Sequence, residues 1–148
     1  MQTFSKNKKV DFKNIPICLE ANNTDTFKAL KNLADSISEN VQKVNSDQRK
    51  AIHVAAVFAC NFSNHLYVIA DHILSENKLS FDLLKPLIME TADKIKNNSP
   101  LKMQTGPAIR GDKKIIKAHL KILSGNKNYQ QLYKLLSLSI IASSKKNK

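Results

Sequence analysis

Small and apolar residues run almost all the way round residues 52–67, IHVAAVFACNFSNHLY. That is the pattern of a buried central helix rather than of a surface one. Ile52, Ala55, Ala59, Phe62, Leu66, Ile69 and Ile73 recur at steps of three and four, the helical period. Ser46 is a good N-cap with Asp47 in the first turn, and the pattern continues to Glu76. The spacing predicts one helix of about 45 Å, mostly buried, long enough to span a domain and an interface. Three polar side chains, Asn61, Asn64 and His65, break its apolar run, and steps of three and four bring them together. A buried amide or imidazole costs free energy unless it is hydrogen-bonded. The three are therefore either satisfied by neighbouring elements or line a cavity that meets a ligand.

Upstream, residues 1–14 are polar and loop-like. Residues 15–21 form a short apolar run in which Pro16 suits the start of a strand. Thr24, as a cap, opens a helix through Phe27, Leu30, Leu33, Ala34 and Ile37. Residues 41–44 alternate as a second strand. This strand–helix–strand unit has the size of one parallel crossover. Two parallel strands cannot cover themselves on both faces, so residues 1–45 are expected to be the end of a larger α/β domain. Residues 46–148 are expected to form an all-helical domain. Within it, Ser80 caps a helix to about Lys96 that kinks or restarts at Pro86. Residues 104–112, QTGPAIRGD, hold two of the three glycines and read as a turn. Asp112 caps a helix through Leu123, and a last helix runs from about Asn128 to Ala142. The tail SSKKNK is expected to fray.

Apolar residues make up 42% of the 148 positions, ordinary for a globular chain. No unbroken apolar run reaches the roughly 20 residues of a membrane span, and the first residues lack the apolar core of a secretion signal; the expected location is the cytoplasm. Cys18 and Cys60 sit in apolar runs and read as small buried hydrophobes. The net charge of +12 invites a nucleic-acid partner. Against that, all but two of the 24 basic residues are lysines, whereas base and phosphate readers favour the forked guanidinium. Neither nucleic acid nor membrane is expected as a partner.

Arg110-Gly111-Asp112 is better explained as turn plus cap than as an adhesion tripeptide. Gln104, Thr105 and Arg110 bracket the Gly-Pro turn before a helix start, a setting that favours anions, and Arg110 adds a forked donor for carboxylate or phosphate. The alternative is an internal pair between Arg110 and Asp112 or Glu90. Thr91 and Lys94 lie three apart on one helix and could face a cleft or solvent. The histidines lack zinc-ligand spacing, so no metal is expected. There is no nucleophile elbow, no phosphate loop, and no G-x-G-x-x-G to cradle a dinucleotide.

Three motifs, HVAAVFACNFSNHLY, LLKPLIMETADKI and QTGPAIRGD, resemble in order and spacing the C-terminal domain of a family of Rossmann-like proteins known as domain of unknown function 2520. The resemblance covers residues 48–123 strongly and extends through the last helix; residues 2–5 with NIPICLEA resemble the end of the family's nucleotide-binding domain. The family is similar in plan to pyrroline-5-carboxylate reductase, ketopantoate reductase and the deazaflavin-linked NADP reductases. The resemblance implies a mainly α chain: a helical dimerisation and substrate domain like the C-terminal domain of 6-phosphogluconate dehydrogenase, preceded by a strand–helix–strand remnant of a Rossmann domain. It implies NAD(P) as cofactor of the full-length protein, a homodimer, and a small anionic substrate. Asn61, Asn64 and His65 would orient or protonate that substrate. Arg110 with Gln104 and Thr105 would hold its anionic part, with Thr91 and Lys94 nearby. The glycine-rich turn is absent, so the chain is read as truncated and inert by itself. The alternatives are a non-enzymatic helical dimerisation module and a basic nucleic-acid-binding domain.

Overall fold

The structure, a computed structural model, describes residues 9–145. The resemblance at residues 2–5 and the last three residues of the tail lie outside them. The chain divides into two compact units, residues 1–65 and 66–148, and the division falls inside the long helix.

In the first unit, strands β1 (Ile17–Leu19) and β2 (Val41–Lys43) pair in parallel, with Ile17 opposite Val41 and Leu19 opposite Lys43. Helix α1 (Thr24–Asp35) connects them. Its cap is Asn23, one residue before the threonine favoured by the sequence: the Asn23 amide oxygen accepts from the Thr26 N–H at 2.8 Å. Ala34 and Val44 are buried between helix and strands. Ser38 is also buried; its hydroxyl donates to the Ile15 carbonyl at 2.7 Å and accepts from the Asn40 N–H at 3.0 Å, so the turn into β2 has no unsatisfied polar group there. This is the strand–helix–strand remnant of a Rossmann domain, and the other regular elements among the described residues are helices.

Helix α2 spans Ser46–Glu76. Asn45, not Ser46, caps it. Its side chain accepts from the Gln48 N–H at 2.8 Å while Gln48 Oε1 accepts from the Asn45 N–H at 2.9 Å, a reciprocal capping box. At Val57–Phe62 the backbone widens to a π-helix, a feature that often marks functional positions. Two expectations fail here. The helix is not mostly buried: none of its residues is, and Val54, Phe58 and Phe62 are 57%, 65% and 50% exposed. Cys60 is exposed as well, and Cys18 only half-buried. The period of an apolar helix shows that something covers it, but not that the same chain does. Although no unbroken apolar run is long enough, the folded helix as a whole has the length and mean hydropathy of a membrane span.

The second unit packs the end of α2 on the last helix. Leu66, Ile69 and Ile73 face Leu132 and Leu136 across a small apolar cavity of about 110 Å³. Two histidine–tyrosine hydrogen bonds flank it, His72 Nδ1 to Tyr129 and His119 Nδ1 to Tyr133, each 2.9 Å. A 3₁₀ turn, Phe81–Leu84, precedes helix α3 (Lys85–Asn97). Pro86 falls in the first turn of α3, where its missing N–H costs nothing; the chain restarts there instead of kinking. Residues 107–110, read as turn from sequence, close into a one-turn helix α4 (Pro107–Arg110) between Gly106 and Gly111, whose φ values are +109° and +68°. Asp112 caps α5 (Lys113–Ile122), accepting from the Ile115 N–H at 3.0 Å. Helix α6 (Lys127–Lys145) completes the unit and is helical through Ser143 and Ser144, where fraying was expected.

Candidate functional site

In the first unit, Asn61 lies within the π-helical segment and Asn64 and His65 just after it. All three side chains are exposed. None has a side-chain hydrogen-bond partner among the described residues. They are neither satisfied in a core nor lining a closed cavity. Beside them Phe58 and Phe62 pack edge to face, 5.0 Å between ring centres at 85°, with both rings largely exposed. The segment thus presents two amides and an imidazole, with free donors and acceptors, next to an aromatic pair.

In the second unit the predicted residues separate. Arg110, Lys113 and Lys145 line a cavity of about 350 Å³ together with Ile109, Ile116 and Ile141; the three charged residues are exposed and so form its rim, and the half-buried isoleucines form its wall. Gln104 lines a different cavity of about 300 Å³ with Leu101, Ser139 and Ile140; Ile109 contributes to both. The Gln104 amide donates to the Thr105 carbonyl at 2.9 Å. Thr91 lines a third, more apolar hollow of about 190 Å³ with Tyr67 and Leu87, and its hydroxyl donates to the Leu87 carbonyl at 2.8 Å. Lys94 pairs with Glu90.

The internal pairings considered for Arg110 do not form. Asp112 is engaged as a cap and Glu90 with Lys94, so Arg110 has no acidic partner among the described residues. Lys113 and Lys145 were not singled out from sequence. The first opens a helix like many solvated lysines, and the second sits in a tail read as frayed; only the packing of α6 brings it to α4.

The strand-to-helix turn at residues 20–23, Glu-Ala-Asn-Asn, does not fit a dinucleotide pyrophosphate. It has no glycine to let the phosphates approach the backbone. Asn23 already occupies an N–H of the following helix. Glu20 places a carboxylate at the strand end, and its acidity is enhanced: the Ser46 hydroxyl, helped by the Ser46 N–H and the Arg49 guanidinium, holds it below its ordinary 4.5. Among the described residues no cluster of three or more His, Cys, Asp or Glu could hold a metal ion.

Residues 15–140 match the family described as Domain of unknown function (DUF2520). The chain belongs to this family. A crystal structure of BF3122 from Bacteroides fragilis, a candidate NADP oxidoreductase, is 48% identical and superposes with a TM-score of 0.87 over 96% of this chain and 55% of its own. The protein TM1727 from Thermotoga maritima is 25% identical, with a TM-score of 0.71 over 82% of this chain and 50% of its own. This DUF2520 chain therefore spans about half the length of these solved relatives. No curated protein matches it in sequence.

Proposed function

We propose that the chain is the substrate-side and dimerisation domain of an NAD(P)-dependent oxidoreductase whose cofactor is held by the half of the relatives that this chain does not span. The observation that carries this reading is the 48% identity to a candidate NADP oxidoreductase over 96% of the chain. Asn61, Asn64 and His65 supply groups that orient or protonate the substrate in the first unit. In the second unit Arg110 is an anion holder in its own right; Gln104 and Thr91 line other hollows of that unit and Lys94 pairs with Glu90. Without a pyrophosphate cradle the chain by itself is inert. The test is NADPH oxidation by a protein that includes both halves. His65→Gln is expected to keep the fold and lose turnover; undiminished turnover contradicts the assignment of His65.

Dimerisation has its own support: Val54, Phe58 and Phe62 on α2 are largely exposed, an apolar face of the kind that a second copy covers. A second copy is a better cover for α2 than lipid, because Asn61, Asn64, His65, Asp71 and His72 would all lie near bilayer depth, where such groups are costly.

A further inference from the structure

The geometry points to a ligand class for the cavity beneath Arg110: an organic anion on a short aliphatic chain, with its carboxylate or phosphate head on Arg110, Lys113 and Lys145 and its chain against Ile109, Ile116 and Ile141. This rests on the reading of Arg110 as a substrate-side anion holder and narrows it.

Three features carry it. First, the rim is cationic and uncompensated. Arg110, Lys113 and Lys145 have no acidic partner among the described residues, as is common on a chain of net charge +12; what sets them apart is that all three line one cavity. Asp112, the acid between Arg110 and Lys113, is turned to its own helix. Second, the backbone fixes the rim. Gly106 and Gly111 hold positive φ on either side of α4, the Gly111 N–H donates to the Ala108 carbonyl at 3.1 Å and the Asp112 N–H to the Pro107 carbonyl at 2.9 Å, and Ala108 is buried. A head group therefore meets a largely preformed anchor for Arg110, whose fork suits a carboxylate or a phosphate. Third, the wall is aliphatic. Ile109, Ile116 and Ile141 line it, and the one hydroxyl there, on Ser144, already donates to the Ile141 carbonyl at 2.8 Å. A bare inorganic anion would leave that wall wet, and an uncharged chain would leave three cations unused. The volume of about 350 Å³ is near the lower end of small-molecule sites, roughly 300–1,000 Å³. It suits a head group and a few methylenes rather than a nucleotide.

The test is amide chemical-shift titration of the 148-residue chain with butanoate, hexanoate, hexyl phosphate, hexanol and inorganic phosphate. Hexanoate and hexyl phosphate are expected to shift Gly111, Ile116 and Ile141. Hexanoate should bind roughly tenfold tighter than butanoate, the gain for burying two methylenes. Arg110→Gln and, separately, Lys113→Gln should weaken hexanoate several-fold without changing the spectrum elsewhere; the tighter of the two head groups identifies the natural one. Hexanol binding as tightly as hexanoate overturns the proposal together with the anion-holding role of Arg110. Inorganic phosphate binding as tightly as hexyl phosphate, with the same dependence on Arg110, overturns the aliphatic class and leaves the anion-holding role standing. No shift with any probe overturns both.

Discussion

The Glu20 carboxylate, at the end of β1, accepts two hydrogen bonds from Ser46, one from its N–H and one from its hydroxyl, each 2.9 Å. The first residue of the long helix is thereby tied to the end of the first strand, with Arg49 3.6 Å from the same carboxylate. A carboxylate at a helix start is also favoured by the free N–H groups there.

This tie should make stability acid-sensitive. Glu20 is held below its ordinary 4.5, so its contribution is present above that value and is lost as pH falls through the lower folded value. Asp82, lowered from 3.8 by Lys85 and Ser80, should act in the same direction and in a similar window. Glu20→Gln is expected to lower the denaturation midpoint at pH 7 and to flatten its decline between pH 5 and 3. An unchanged slope would show that the ion and hydrogen-bond cluster does not contribute.

Gly111 sits at φ +68° with nothing within 4 Å of the place where a Cβ would stand. Gly111→Ala should therefore cost only the left-handed backbone penalty, about 1–2 kcal/mol. Urea denaturation measures it. A stabilised variant would contradict the conformation drawn for the α4 turn.

The outward apolar face of α2 should be a contact surface between copies. Sedimentation at tens of micromolar is expected to give a dimer, and Phe58→Glu with Phe62→Glu to give a monomer of unchanged helix content. A monomeric parent, or a variant that remains dimeric, would remove α2 from the interface.

The polar group on α2 makes a contrasting prediction. Asn61, Asn64 and His65 are exposed and have no side-chain bonds among the described residues. Replacing Asn64 or His65 by Ala should change stability by less than about 0.5 kcal/mol, while lowering turnover in a protein that carries both halves. A loss of more than about 1 kcal/mol in this chain would mark the residue as structural.

Much of the fold was legible because local chemistry marks element ends. Ser80 and Asp112 cap as read, and Pro86 acts at a helix start. Two caps moved back by one residue because Asn23 and Asn45 are as good acceptors as the Thr24 and Ser46 beside them. The π-helix at Val57–Phe62 left no signal, since its apolar spacing also suits an α-helix. The exposure of Phe58 and Phe62 was hidden for another reason: periodicity reports a face that is to be covered, not the chain that covers it. At the candidate site, Arg110 was visible as a guanidinium beside a glycine turn. Its meeting with Lys145 depends on a helix–helix contact 35 residues apart in sequence, and separation of that kind leaves no local pattern.

The central claim is that this domain serves an oxidoreductase whose NADPH is bound outside it. The most direct measurement is calorimetry with NADPH on two proteins: the 148-residue chain, and the same chain fused behind the part of the Bacteroides fragilis protein that it does not span. No heat of binding is expected for the chain, and binding at micromolar concentration is expected for the fusion. Micromolar binding by the chain alone, or none by a folded fusion under conditions where the Bacteroides fragilis protein binds NADPH, would contradict the claim.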